Sequence, residues 1–445
     1  MPQQMNPILE RVEAVIVSLD PDTKELEELA RSMNYLVKRV FVQKRPSPDP
    51  RFFIGSGKVD EIKLFLQTPE GKSVKVAAFN SPMKPTQIFH LQNALGLTVF
   101  DRTRLILEIF SNRARSQEAK LQVELAKLEY EIPFVKELIH RSKTGEHPGY
   151  MAGGEYPVNT YFDMITKRVK RIKEKLRTVK KDRSERRKHR RDEGFFLISI
   201  AGYTNAGKSQ LLKAITKEDV IIEDRFFSTL FTITRRGEGK VGGAFLFSDT
   251  VGFIRNLPPW LIDAFNSTLE EIYLSDMVLL VVDVSEPEEI AEEKIATSYK
   301  FLQYQEAVPS IVLVLNKMDL VADNSNLEGR ATRIVNWVKS SNIPIIDHCL
   351  ISAKERKNLD ALMDRLMEAV QKLDYIERLI VSISKSKNEN TFSNVNVFTN
   401  WLFERYVVLS NVQKLDIISF DILCKRSDLK KIQNRILELQ LVVDH

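Results

Sequence analysis

Residues 202–209 have the types and spacing of a phosphate-binding loop. They fit G-x-x-x-x-G-K-[ST] at every fixed position, reading Gly202-Tyr203-Thr204-Asn205-Ala206-Gly207-Lys208-Ser209. The apolar run 195–201 before the loop predicts a buried strand, and residues 211–215 begin a helical pattern, which is the context this motif requires. Glycines let backbone N–H groups surround a phosphate, and a helix N-terminus adds donors. We expect Lys208 to reach the β- and γ-phosphates and the Ser209 hydroxyl to bind Mg²⁺; the alternative is a chance glycine loop.

A second motif follows the apolar run 244–247. It consists of Asp249, Thr250, Val251 and Gly252. An aspartate at a strand end can hold the outer shell of Mg²⁺, and the glycine can offer its N–H to a γ-phosphate.

Two more motifs concern the base. Asn316-Lys317-Met318-Asp319 closes the apolar run 311–315, and Ser352-Ala353-Lys354 follows the run 343–351. The Asp319 carboxylate can accept both N1–H and the N2 amine of guanine, whereas adenine would leave it unpaired at a cost of about 1–3 kcal/mol. A backbone amide in the last motif could bind the guanine O6. Four motifs in this order, each at a strand end, indicate a protein that binds and hydrolyses GTP.

Composition is that of an ordinary globular protein. The chain has 445 residues with 43% hydrophobic and 28% charged content, which predicts two to four domains. Its two cysteines, Cys349 and Cys424, lie in apolar runs and are expected to be buried thiols in a reducing cytoplasm. We expect no signal peptide and no integral membrane segment.

The net charge of +6 is unevenly distributed. Residues 167–191 contain 15 Lys/Arg and 3 acidic residues, a balance of +12, so the rest of the chain sums to −6. Such a block is a candidate for binding a polyanion such as RNA. A solvated helix face is the alternative, although acidic partners at i,i+4 are scarce.

Four regions are predicted. Residues 1–110 alternate strands, the first at 12–18, with helices, which indicates a small α/β domain with a mostly parallel sheet. Residues 111–193 form a basic helical hairpin, because apolar residues step by four and three along 121–139 and again along 165–179. Pro133 should kink or break the first of these helices, and residues 142–157, which contain four glycines, should form a mobile tip between them. Residues 194–374 form the α/β nucleotide-binding domain. Residues 375–445 form a small α+β module with strands at 379–384 and 415–423 and the beginning or end of another at 442–443.

A second glycine-rich segment, Gly55-Ser56-Gly57-Lys58, invites a phosphate-loop interpretation that we reject. Phe52 stands where the first glycine should be, and Val59 replaces the Ser/Thr. These glycines are expected to shape a turn or a close backbone approach.

Several segments resemble the HflX family of ribosome-associated GTPases. The similarity covers roughly residues 10–372 and is clearest at 101–110, 113–126, 202–209 and 249–258. It implies a P-loop GTPase domain preceded by an α/β domain and an antiparallel coiled-coil hairpin, with the large ribosomal subunit and its RNA as partners. It also implies a first switch, with Thr229 as a second Mg²⁺ hydroxyl and γ-phosphate sensor, at Phe227, Ser228, Thr229, Leu230 and Phe231.

The expected site combines these predictions. Lys208, Thr229 and Gly252 act on the γ-phosphate, Ser209 and Thr229 bind Mg²⁺, and Asp249 holds its outer shell. Phe253 occupies the position where many small GTPases have a glutamine that orients water. We therefore expect slow intrinsic hydrolysis that a partner or a rearranged switch accelerates; the alternative is that another side chain orients the water.

The favoured function is a cytoplasmic, monomeric GTP-hydrolysing switch on the large ribosomal subunit, acting in translation, in ribosome rescue or splitting, or in ribosome biogenesis. No DNA partner is expected. An RNA-binding assembly factor with incidental GTP hydrolysis is one alternative. A nucleotide-regulated protein scaffold is another, against which the basic hairpin weighs.

Overall fold

The computed structural model describes most of the chain in two compact units. Residues up to Val179 form the body of the first, and nearly all described residues from Lys180 onward form the second. The described residues are 11–114, 116–143, 155–192, 194–216, 233–237, 245–255, 257–258, 260–261, 266–303, 308–321, 324–384, 389–414 and 417–441.

A four-stranded parallel sheet begins the first unit. Its strands lie in the order β2-β1-β3-β4 and are β1 (Val12–Ser18), β2 (Tyr35–Val42), β3 (Val74–Phe79) and β4 (Thr98–Phe100). The connecting helices are α1 (Lys24–Ser32), α2 (Ser56–Gln67) and α3 (Pro85–Leu95). Strand β1 is completely buried from Ala14 to Val17, because parallel strands are covered by helices on both faces. The predicted small α/β domain is confirmed.

Three helices follow, named α4 (Arg102–Arg113), α5 (Gln117–Lys143) and α6 (Glu155–Asp192). Helices α5 and α6 pair antiparallel: Arg168 Nη2 lies 2.7 Å from Glu124 Oε1, and the Tyr161 hydroxyl donates to Glu131 Oε2 over 3.3 Å. The predicted helical hairpin is therefore present. Its glycine-containing tip, predicted within residues 142–157, falls largely on residues 144–154, outside the described ranges.

Pro133 was expected to kink or break its helix, and the break does not occur. Helix α5 continues through Pro133 to Lys143. An interior proline costs about 3 kcal/mol, so neighbouring contacts must offset it. Phe134, the next residue, packs against the hydrophobic core of the parallel sheet. Tyr130, one turn earlier, donates its hydroxyl to Asp101 Oδ1 over 2.9 Å.

The second unit contains a six-stranded sheet in the order β10-β9-β8-β5-β7-β6. The strands are β5 (Phe196–Gly202), β6 (Ile233–Arg236), β7 (Phe245–Asp249), β8 (Met277–Asp283), β9 (Ser310–Asn316) and β10 (Ile345–Leu350). All neighbours are parallel except β6 and β7. The helices are α7 (Lys208–Thr216), α8 (Asn266–Tyr273), α9 (Glu288–Leu302), α10 (Asn324–Ser340) and α11 (Leu359–Gln371). Because parallel strands end at one edge, residues after β5, β7, β9 and β10 come together there.

A three-stranded antiparallel sheet completes the second unit. Strands β11 (Ile376–Ser384), β12 (Val407–Lys414) and β13 (Ile417–Lys425) lie in the order β11-β13-β12, with helices α12 (Glu389–Arg405) and α13 (Leu429–Glu438). The predicted α+β module is present, but strand β12 was not predicted. Its second half is polar and exposed, so no alternating apolar pattern marks it. A strand was also predicted at Val442-Val443, outside the described residues.

Both cysteine thiols are free and buried. Burial raises the pKa of Cys349 to about 11 and that of Cys424 to about 12. Neither is therefore a reactive thiolate at neutral pH, as the sequence predicts. Separately, none of the helices in the described ranges has the length and apolar content that crossing a membrane requires.

Candidate nucleotide-binding site

The loop between β5 and α7 has a backbone that only glycine can adopt at two positions. Gly202 has φ +145°, and a methyl group there would lie 2.3 Å from the Val281 carbonyl oxygen. Gly207 has φ +94°, and a methyl group there would lie 2.3 Å from Asn316 Nδ2. Both distances are shorter than any real contact, so the two fixed glycines of the motif are structural requirements.

Lys208 is the first residue of α7 and is almost completely buried. Its ammonium donates to the Tyr203 carbonyl oxygen over 2.8 Å. Burial lowers the pKa of Lys208 to about 8, and the nearby Asp249 carboxylate partly opposes that shift. A buried cation with one neutral acceptor is well suited to bind a phosphate group, which would supply the missing negative charge.

The predicted magnesium residues Ser209 and Asp249 lie in contact. The Ser209 hydroxyl donates to Asp249 Oδ2 over 2.7 Å, and Asp249 is completely buried. A hydroxyl and a carboxylate are the hard oxygen ligands that Mg²⁺ prefers, so this pair fits the metal. Thr229, predicted as the second hydroxyl ligand, lies outside the described residues, as do its neighbours Phe227, Ser228, Leu230 and Phe231.

Residues 249–253 run beside the phosphate loop. The Thr250 hydroxyl donates to the Ile200 carbonyl oxygen over 2.8 Å. A methyl group on Gly252 would lie 2.7 Å from Thr204 Cγ2 and 3.0 Å from Lys208 Nζ, so this glycine touches the loop and its lysine. Val251, predicted as a further contact, is half-buried.

Phe253 belongs to the hydrophobic core. It is 3% exposed, and its ring stacks on Phe301 with centroids 5.0 Å apart and an angle of 6° between the planes. Its backbone is bonded to the phosphate loop through Gly202 and Thr204. The ring therefore contributes packing and presents no polar group. Sequence reasoning did not anticipate the contact with Phe301, which lies 48 positions away on α9.

Asn316 joins the phosphate loop to the last motif. Its side-chain amide donates to the Ala206 carbonyl oxygen over 2.9 Å and accepts from the Ala353 N–H over 3.0 Å. The Ser352 hydroxyl donates to Asp319 Oδ1 over 2.5 Å. The structure thus brings three separately predicted segments together, while Met318 and Lys354 complete the same two loops.

Asp283 is a site neighbour that the sequence analysis missed. Its Oδ2 lies 2.7 Å from the Lys317 ammonium, and it pairs in register with Asn316 across β8 and β9. The sequence held part of the signal, because Asp283 ends an apolar run just as Asp249 does. This ion pair orients Lys317, which has left-handed backbone at φ +67°.

The fold and this arrangement define a P-loop GTPase. Family models match as GTP-binding GTPase N-terminal at residues 20–111, GTP-binding GTPase Middle Region at 113–190, and 50S ribosome-binding GTPase at 197–317. The GTPase HflX of Thermococcus kodakarensis is 43% identical over 353 residues, covering 78% of each chain. That of Caldanaerobacter subterraneus is 37% identical, covering 84% of this chain and 82% of its own. The chain belongs to the HflX family of GTPases.

A solved structure is also similar. It is a GTP-binding protein from Sulfolobus solfataricus in complex with GDP, 26% identical, with a TM-score of 0.45. The match covers 81% of this chain and 99% of that one.

Proposed function

We propose that this protein is a switch whose bound GTP controls its association with the large ribosomal subunit. The proposal extends the GTPase activity in two directions: the roles of individual site residues and the identity of the partner. As part of this proposal, the protein acts in the cytoplasm as a monomer and has no DNA partner. The matched 50S ribosome-binding GTPase model supports the choice of subunit.

The observation on which the proposal depends is a row of exposed cations on α6. Lys167, Lys170, Arg171, Lys175 and Arg177, which we call the outer basic face, are exposed. Within the described part of the chain, none of the five forms an ion pair. By contrast, Arg168 and Lys173 lie next to the helix–helix contact and pair with Glu124 and Glu129 at 2.7 and 2.8 Å.

This division of charge favours binding to RNA over a merely solvated surface. Arg168 and Lys173 are neutralised by carboxylates of α5, whereas the outer basic face has charge available for phosphates. An A-form helix is read mainly through its backbone phosphates and 2′-hydroxyls, which a basic helical surface can follow. Ribosomal RNA is therefore the ligand we assign to the hairpin.

The site residues have separate roles in the proposed reaction. Lys208 binds the β- and γ-phosphates, and the Gly252 N–H binds the γ-phosphate. Ser209 and Thr229 would hold Mg²⁺ directly and Asp249 its outer shell; when bound, the metal neutralises charge that develops on the phosphates. Asp319 binds the guanine edge, and the backbone around Ala353 binds O6. Water attacks in line, and no protein group forms a covalent intermediate.

Intrinsic hydrolysis is proposed to be slow. Phe253 is held in the core and offers no hydrogen bond to water. Binding to the ribosome would accelerate the reaction, and hydrolysis would then release contacts that Thr229 and Gly252 make only with a γ-phosphate. The protein alone hydrolysing tens of GTP molecules per second would contradict this part of the proposal.

Base selectivity is tested by calorimetry of GTP, GDP and ATP with the wild type and with Asp319→Ala. Removing the carboxylate takes away two hydrogen bonds to guanine and none to adenine. Guanine affinity should therefore fall by about 100-fold, with little change for ATP. Equal affinity of the wild type for GTP and ATP would refute the proposed nucleotide.

Ribosome association is tested by sedimentation with purified large subunits in the presence of a GTP analogue, GDP or no nucleotide. We expect co-sedimentation mainly with the analogue. Replacing Lys167, Lys170 and Arg171 by glutamate should abolish it. The matched control replaces three exposed lysines of the nucleotide-binding domain, Lys300, Lys339 and Lys372, by glutamate, which should leave binding intact.

An RNA-binding assembly factor with incidental hydrolysis is the second candidate, and the outer basic face supports it equally well. The two candidates differ in whether the bound nucleotide controls binding to the ribosomal subunit. Equal binding to the subunit in all three nucleotide conditions, lost at high salt, would favour the assembly factor over the switch.

A further inference from the structure

Thr204, the third residue of the phosphate loop, has a buried hydroxyl without a partner. The residue is 3% exposed, and its N–H donates to the Phe253 carbonyl oxygen over 2.8 Å. Its Oγ1, however, makes no hydrogen bond to any described residue. Buried hydroxyls in native proteins are nearly always paired, so one that is not calls for a functional explanation.

The surroundings of Thr204 indicate which ligand would pair with it. Its Cγ2 and Cα lie 2.7 and 2.9 Å from where a methyl group on Gly252 would stand, and Lys208 Nζ lies 3.0 Å from the same point. Thr204, Gly252 and Lys208 therefore lie in close contact with one another. Two of these three residues are the ones that bind the γ-phosphate in the proposed function.

The position after Gly252, where many small GTPases have a glutamine, provides no polar group in this protein. Phe253 follows Gly252, but its ring is stacked on Phe301 within the core. A hydroxyl on the opposite, phosphate-loop side of Gly252 could replace the missing polar side chain. Thr204 is the loop residue that contacts Gly252, and its hydroxyl has no partner among the described residues.

We propose that the Thr204 hydroxyl is a further catalytic group that donates a hydrogen bond to the γ-phosphoryl group of GTP. This inference rests on the proposed function. In the reaction a water oxygen bonds to the γ-phosphorus, the bridging oxygen departs on GDP with the electron pair, and the water proton passes to the released phosphate. Thr204 gives up no proton; its bond holds an equatorial oxygen of the γ-phosphoryl group, over whose three oxygens the charge is spread in the transition state.

The test is a pair of substitutions in the full chain, Thr204→Val and Thr204→Ser. Valine keeps the shape and removes the hydroxyl, whereas serine keeps the hydroxyl. With valine we expect kcat for GTP to fall at least about tenfold, the value of one hydrogen bond to a charged group. Affinity for GDP should change less than about twofold, because GDP has no γ-phosphate. Serine should restore most of kcat.

A second readout separates catalysis from folding. Since valine removes an unpaired buried hydroxyl, the melting temperature of the nucleotide-free Thr204→Val protein should stay constant or rise. The matched control is Thr216→Val in α7, a buried threonine whose hydroxyl already donates to the Leu212 carbonyl oxygen over 2.8 Å. That control should lower the melting temperature and leave kcat unchanged.

Three results would overturn the inference. One is an unchanged kcat in Thr204→Val. Another is an equal loss of kcat in the valine and serine variants, which would assign the effect to packing on Gly252. The third is a parallel loss of GDP and GTP-analogue affinity with a lower melting temperature. Failure of the proposed function itself would look different, since the wild type would then show no preference for guanine nucleotides.

Discussion

Two segments of this protein contain glycines followed by lysine at the start of a helix, and only one has the geometry of a phosphate loop. In residues 202–209 both motif glycines have positive φ, +145° and +94°. In residues 55–58, Gly55 caps α2 with an ordinary extended backbone at φ −68°. A methyl group on Gly57 would meet nothing within 4 Å. Gly57 is therefore not required by its surroundings, whereas a methyl group on Gly55 would lie 3.0 Å from Arg45 Nη1 and from Gln43 Nε2.

The hydrogen-bond donors of the two segments differ in the same way as their glycines. The Gly55 N–H donates to Gln43 Oε1 over 2.8 Å, and Lys58 pairs with Glu61 at 2.6 Å. In the nucleotide-binding loop, the N–H groups of Asn205 and Gly207 donate to no other described residue, and Lys208 is buried. A phosphate loop is thus distinguished by donors and charge that the protein itself leaves available. The residue types of a segment do not by themselves show which donors and charges are available to a ligand.

The largest effect should come from removing each lysine. Lys208→Ala removes two charged hydrogen bonds to phosphate, each worth about 1.5–3 kcal/mol, so GTP affinity should fall by at least about 100-fold. Lys58→Ala should leave it unchanged. Calorimetric titration with GTP measures both. A comparable loss in the Lys58 variant would mean that the N-terminal segment also binds the nucleotide, and the contrast between the two segments would fail.

The second effect concerns Gly207 and Gly57, whose replacement by alanine should change stability in opposite directions. Gly207→Ala places a methyl group 2.3 Å from Asn316 Nδ2 at positive φ, which should destabilise the protein by about 1–3 kcal/mol and weaken GTP binding. Gly57→Ala lies in open space within α2 and should stabilise by about 0.5–1 kcal/mol, because alanine favours helix more than glycine does. Denaturant unfolding of both variants gives the comparison. Stabilisation by Gly207→Ala would show that its left-handed backbone is not required.

The comparison of the two glycine segments also shows which structural features the sequence alone could predict. Features fixed by local chemistry were predictable: strand β1 at residues 12–18, the glycine positions, and the four motifs at strand ends. Features decided by distant residues were not. Helix α5 continues through Pro133 because Phe134 reaches the sheet core, and Phe253 is held by Phe301 from another helix. The spacing of Asp283 from Lys317 could not reveal their ion pair until the register of β8 and β9 was known.

The smallest effect is a proton taken up when the nucleotide binds. Burial lowers the pKa of Lys208 from 10.5 to about 8 in the nucleotide-free protein. Below pH 8 the amine is protonated both folded and unfolded, and the cost of burying the charge is present. Between about pH 8 and 10.5 the unfolded chain binds the extra proton, so the stability of the nucleotide-free protein should rise with pH in that window.

Phosphates favour the ammonium form, so GTP binding should return the proton that burial removed. At pH 8.5 about three quarters of Lys208 is neutral before binding, and about that fraction of a proton should be taken up; at pH 7 uptake should be near zero. Calorimetry at pH 8.5 in two buffers with different ionisation enthalpies measures the uptake. The Lys208→Arg variant stays charged at this pH, so its proton uptake comes from titration of the nucleotide and is subtracted from that of the wild type. Lys58→Ala should take up the same fraction of a proton as the wild type. Equal uptake in wild type and Lys208→Arg would show that the proton belongs to another group, and that Lys208 is already charged before the nucleotide arrives.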